Sequence, residues 1–160
     1  MHTLHWIAVV ADNAEEAVSE VHDTLLNTES EKWWDWFDDS IGGRWSGLDW
    51  CKVYQGKDMV TGLERAKAAR KEEVVRALKN IDLEEFESQL NGYDGEAVVT
   101  GDCSMNLWSI KLVATVLLGE WHYDSHFYDM DYGHGTMTDL LKRLESNPDK
   151  QFLVPVDFHF

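Results

Sequence analysis

At 160 residues, with 44% apolar and 12% aromatic side chains, the chain has enough apolar material for one domain with its own core, residues 1–160. Thirty acids against fourteen bases give a net charge of −16. That field repels nucleic-acid phosphates, which argues against direct DNA or RNA binding as a main activity, and it attracts basic protein surfaces.

No apolar run reaches the ~18 residues of a membrane span. The longest, Leu107 to Leu118, is interrupted by Ser109, Lys111 and Thr115. The first residues, MHTLHWIAVVADN, lack the basic segment of a signal peptide, so the expected location is the cytoplasm. Cys51 and Cys103 form no CxxC pair and read as reduced thiols. The acidic excess is uneven: residues 1–50 hold eleven acids and two bases.

Leu4 to Ala11 is a short, β-branched apolar run and reads as a central strand. Asp12 or Asn13 then caps a helix, with Glu15 or Glu16 completing a capping box. Ala14, Ala17, Val18, Val21 and Leu25 recur at helical spacing and mark its buried stripe. The run from Trp33 to Trp50 follows, with five of the chain's eight tryptophans, four aspartates, Gly42-Gly43 and Arg44. A strand or hairpin around the glycines suits this aromatic content. Trp36 and Trp45 are expected mainly in the core.

Asp49 to Tyr54 reads as another short strand, turned out by Gly56. Thr61, with Glu64, is the expected cap of a helix to about Asn80, which carries six of the fourteen bases. Its bases alternate with Glu64, Glu72 and Glu73, the pattern of a solvated helix. Asp82, with Glu85, starts a further short helix with Leu83, Phe86 and Leu90 on one face. Ser104 to Leu118 fits both a strand and a helix; its length, Ser104 and Gly119 favour a buried helix. Thr136 to Glu145 is a short helix stopped by Asn147-Pro148, and Gln151 to Phe160 a final strand. Pro155 assigns that strand to an edge or a bulge. This order predicts an α+β fold, a mixed or antiparallel sheet packed against helices, ferredoxin-like or related, with the first and last strands side by side.

Four groups of residues are candidates for function. Gly42, Gly43, Arg44, Trp45 and Ser46 have the composition of an anion-binding loop: glycine N–H groups, one cation and an indole to stack on a base. The plainer alternative is a tight turn whose Arg44 pairs with Asp35, Asp38 or Asp39. Glu15, Glu16, Glu20, Asp35, Asp38 and Asp39 form a candidate acidic surface for a basic partner. His122, Asp124 and His126 have donor types that suit a divalent metal, although HExxH is absent and the segment reads as a polar, aromatic loop. Asp157 and His159 lie two apart on the last strand and share a face. With His5 on the first strand they form a candidate proton-transfer cluster. No nucleophile constellation can be argued from spacing, so no catalytic residue is assigned and no cofactor is expected.

The segment Trp34 to Gly47 (WDWFDDSIGGRWSG) resembles a pattern in small uncharacterised proteins of tailed bacteriophages and prophages. The resemblance extends to the N-terminal strand and helix, to Trp121–Asp129 (WHYDSHFYD) and to the tail Val156–Phe160 (VDFHF). It implies a viral or mobile-element origin and transfers no catalytic residue. With the acidic charge, it makes an inhibitor of a basic host defence or nucleic-acid-handling protein the first expectation, acting by charge mimicry. A nucleotide-sequestering protein or a small metal-dependent enzyme are the alternatives.

Overall fold

The structure, a computed structural model, describes residues 2–27, 34–91, 109–110, 112–114, 117, 127–129 and 133–159. In chain order they form β1 (His2–Val10), α1 (Ala14–Asn27), β2 (Trp36–Asp38), a 3-10 turn (Gly43–Trp45), β3 (Tyr54–Gln55), α2 (Asp58–Asn80) and α3 (Leu83–Asn91). Then follow β4 (Phe127–Asp129), β5 (Gly133–Gly135), α4 (Met137–Ser146) and β6 (Gln151–His159). The fold is α+β, as the order of elements predicts. Two units are distinguished: residues 1–68 with 123–160, and residues 69–122.

The first unit holds every described strand. Its sheet runs β2-β6-β1-β4-β5, with β3 also paired to β6. β1 and β6 are antiparallel over their whole length, from His2↔His159 to Val10↔Gln151. β1 and β4 are parallel, so the sheet is mixed. The first and last strands do lie side by side, and β1 is central. Segments 127–129 and 133–135, expected as loop, are short strands pairing with each other and with β1.

Alternation along β1 builds two cores. Leu4, Trp6 and Ala8 point to one face, where Tyr54, Met59 and Leu63, Leu140 of α4 and Leu153 close over them. Ile7 and Val9 point to the other, against Ala17, Val21 and Leu25 of α1 and Phe152, Val154 and Phe158 of β6. A strand covered on both faces has no polar side to show, which is why β1 and β6 read as near-continuous apolar runs. Burial of each such side chain is worth about 1.5–3 kcal/mol, so these two strands carry the stability of the unit.

α1 follows its predicted pattern. The Asn13 side chain accepts from the Glu16 N–H at 2.9 Å, and Glu16 reaches back to the Asp12 N–H at 2.8 Å. α2 departs from expectation, starting at Asp58 rather than at Thr61. Gly56, at φ +54°, donates to the Gln151 carbonyl and accepts from the Met59 N–H. That turn starts the helix early and drives Met59 into the core as its first anchor, with Leu63 and Ala66 following one and two turns later. α4 begins at the capping box of Thr136 and Asp139.

Pro155 is not on an edge strand: it faces Trp6 of β1 in the middle of the sheet. The carbonyls of Gln151, Pro155 and His159 accept from Gly56, Gly42 and Asp35, so odd-numbered residues of β6 turn their backbone away from β1. The missing N–H of Pro155 therefore falls between β2 and β3, where no strand needs it.

The second unit contains the remainder of α2, then α3 and the helical residues 109–110, 112–114 and 117. The described residues of Ser104–Leu118 are thus helical. Asp82 caps α3, accepting from the Glu84 and Glu85 N–H groups at 3.0 Å each. Leu83 is exposed, and the side chains of Phe86 and Leu90 lie outside the described residues.

Candidate functional site

Two of the four candidate groups, the Gly42–Ser46 turn and the Asp157–His159 pair, meet at Asp157. Its carboxyl group is 1% exposed and accepts from two donors. His2 Nδ1 donates from β1 at 3.0 and 3.1 Å to the two oxygens, and the Arg44 backbone N–H donates to Oδ2 at 3.1 Å. A buried carboxylate is costly unless it is hydrogen-bonded, and here each oxygen has a donor. With Nδ1 carrying the proton, a neutral His2 ring has its lone pair on Nε2, and the side chain is 22% exposed.

The turn over Asp157 exists because of its glycines. Gly42 and Gly43 have φ of +72° and +48°. A Cβ on Gly42 would overlap the Cys51 sulfur, and one on Gly43 would fall within 3.0 Å of Asp157 Cβ, Cγ and Oδ2. The expected anion loop is thus a real turn, but its N–H groups are spent inside the protein. Gly42 donates to Pro155, Gly43 to Ser40, Trp45 to Gly42 and Ser46 to Gly43, while Arg44 meets Asp157. The anion this turn binds is the chain's own carboxylate. The Arg44 side chain is exposed and pairs with none of Asp35, Asp38 and Asp39.

The candidate cluster around Asp157 and His159 has a different member from the one expected. His5 lies on the opposite face from Asp157 and packs its ring on Phe158 at 5.0 Å. Register decides this: Leu4 stands opposite Asp157 and His2 opposite His159, so the even residues of β1 share the face of the odd residues of β6. His2 takes the place expected for His5. A known pairing register would have identified it from the sequence; its position next to the first residue hid it.

An aromatic triad surrounds this point. The rings of His2 and His159 meet edge-on at 5.0 Å, Trp36 stacks on His159 at 5.1 Å and 12°, and Trp36 meets His2 edge-on at 5.4 Å. His159 Nδ1 is 3.4 Å from Asp35 Oδ2. Trp36 is 46% exposed, so its expected place in the core is wrong. Its strand partner is His159, the last described residue of β6. Trp45 and Trp50 are half-buried against the core, Trp34 packs on Phe158 at 5.0 Å, and Trp33 lies outside the described residues.

The acidic residues divide into two places. Asp38 accepts from the Ser40 hydroxyl and N–H, which holds its carboxyl below the ordinary value, with His2 and His22 adding smaller effects. Burial lowers the His22 imidazole against the opposing charges of Asp39, Asp23 and Asp38, so the acids of β2 and of the end of α1 share one neighbourhood. Glu16 is instead beside Lys150 and Asp12, at the start of α1 and about 9 Å along the helix axis from His22. Glu15 and Glu20 are exposed on α1.

Cys51 is a free, buried thiol pushed up to about 12 by burial, with the Asp157 charge adding to the rise. Trp6 is 1% exposed, and among the described residues its indole N–H has no acceptor. His122, Asp124 and His126 lie outside the described residues, as does Cys103. Among the described residues no group of three or more His, Cys, Asp or Glu is placed to hold a metal ion. Among them, too, no helix is long and apolar enough to cross a membrane.

Comparison with protein-family models, with curated proteins and with solved structures finds no significant match to this chain.

Proposed function

We propose that this protein is an acidic binding protein of phage or mobile-element origin. Its partner is a basic host protein, a defence or nucleic-acid-handling component, and its carboxylates occupy the surface that partner uses for phosphates. The observation that carries this reading is the convergence of Asp23, Asp38 and Asp39 on His22, with Asp35 70% exposed nearby in sequence. Of the two bases in residues 1–50, Arg44 makes no ion pair with these acids, and Lys32 lies outside the described residues.

The test is competitive. A purified basic nucleic-acid-binding protein from the host, retained on the immobilised chain at low salt, is expected to be released by duplex DNA and by raised salt, since both remove the electrostatic term. Retention that ignores both, or no retention of any basic protein, overturns the reading.

The nucleotide alternative retains one supporting observation, the exposed Arg44 side chain. A nucleotide that binds only the folded chain raises Tm; no shift with any nucleotide removes that alternative.

A further inference from the structure

We propose that Trp36 is the anchor for an arginine side chain of the protein partner, with the carboxylates of Asp35 and Asp38 completing the receptor. The proposal rests on the binding-protein reading above and narrows it to one indole and one kind of partner side chain.

Three properties of the indole carry it. Trp36 offers a large apolar surface to water: it is 46% exposed, whereas Trp6 is buried and Trp34, Trp45 and Trp50 are partly buried against the cores. It is also held in place. His159 stacks beneath it, His2 meets it edge-on, and His2 is itself fixed by the buried Asp157. An anchor whose rotamer is already set loses little entropy on binding. Finally, it is flanked by negative charge. Asp35 lies beside the His159 ring that carries the indole. Asp38 is two residues along β2 and so on the same face, about 7 Å away. The Ser40 N–H and hydroxyl both donate to Asp38 Oδ1, which keeps that group ionised and oriented.

An exposed indole between carboxylates suits a guanidinium. The planar cation stacks on the ring and presents N–H donors at its edge to the carboxylates, and arginine does both better than lysine. Tryptophan and arginine are also the side chains that most often dominate interface energetics. A phosphate at this place would meet the same carboxylates as repulsion.

The experiment titrates the full chain, at low salt, with an oligo-arginine and an oligo-lysine peptide of equal length, by calorimetry and tryptophan fluorescence. The arginine peptide is expected to bind about threefold to tenfold tighter, with a change in indole emission. Trp36→Ala is expected to erase that preference, Trp36→Phe to retain part of it, and D35N/D38N to weaken both peptides. Circular dichroism checks the fold of each variant; should Trp36→Ala unfold, the phenylalanine and double-asparagine arms decide. Equal affinity for the two peptides, or a preference that survives at Trp36→Ala, overturns the inference and leaves the binding-protein reading standing. No binding of either peptide overturns that broader reading as well.

Discussion

Gly43 and Gly47 share a left-handed backbone but differ in what a methyl group would meet. At Gly43 it would fall on Asp157; at Gly47, φ +85°, it would meet nothing within 4 Å. Gly47→Ala is therefore expected to cost only the left-handed conformation, about 1 kcal/mol. Gly43→Ala adds displacement of a buried carboxylate from its donors, for about 3 kcal/mol or more in all. Urea unfolding of the two variants checks the difference; equal losses would mean that Asp157 is not fixed under the turn. Cys51 gives an independent measure of the same packing. Its thiol is buried and pushed up to about 12, so iodoacetamide at pH 8 is expected to leave it unmodified in the folded chain and to alkylate it in urea. At this scale the sequence was only partly informative. That Asp157 and His159 share a face follows from their spacing, and that Gly42-Gly43 turns the chain follows from glycine itself. The identity of the histidine partner and the exposure of Trp36 depend on strand register, which no local pattern encodes.

α1 was legible because its information is local. Asn13, Glu16 and the stripe Ala17, Val21 and Leu25 act within a few residues of one another, and the helix formed where they placed it. The start of α2 was not, because Gly56 takes its position from a bond to Gln151, far along the chain. Pro155 misled for a similar reason: its missing donor is harmless only because β2 and β3 leave a gap beside it. α1 also carries a pH dependence. Burial of His22, against Phe37, holds its imidazole below the ordinary 6.5. As pH falls through 6.5 the unfolded chain takes up a proton that the folded chain resists, so stability present above that pH is lost below it. Thermal unfolding at pH 7.5 and 5.5 is expected to show a lower Tm at the acid end. His22→Leu should shrink that drop; an unchanged drop would place its origin in another group.

For the whole molecule the governing quantity is the charge of −16. Like charges resist compaction, and salt screens them over about 10 Å at 0.1 M. Moving from 20 mM to 0.5 M NaCl is expected to raise Tm by about 3 °C, corresponding to about 1 kcal/mol for a chain of this size. A flat or falling Tm would show that attractive pairs outweigh the net repulsion. The sign and size of the charge were plain in the sequence, but its convergence around His22 needed β2 beside the end of α1. One pairing described above has a bearing on synthesis. β1 leans for its whole length on β6, and His2 meets a carboxylate 155 positions later in the chain. A ribosome adding about 5–20 residues per second needs roughly 8–30 s to cover that distance. For most of that interval both flanks of β1 are unmatched, since β4 and β6 are made last, and the β6 flank stays open to its end. The protein's window of greatest vulnerability to aggregation is thus set by the ribosome's pace, before folding of the finished chain begins.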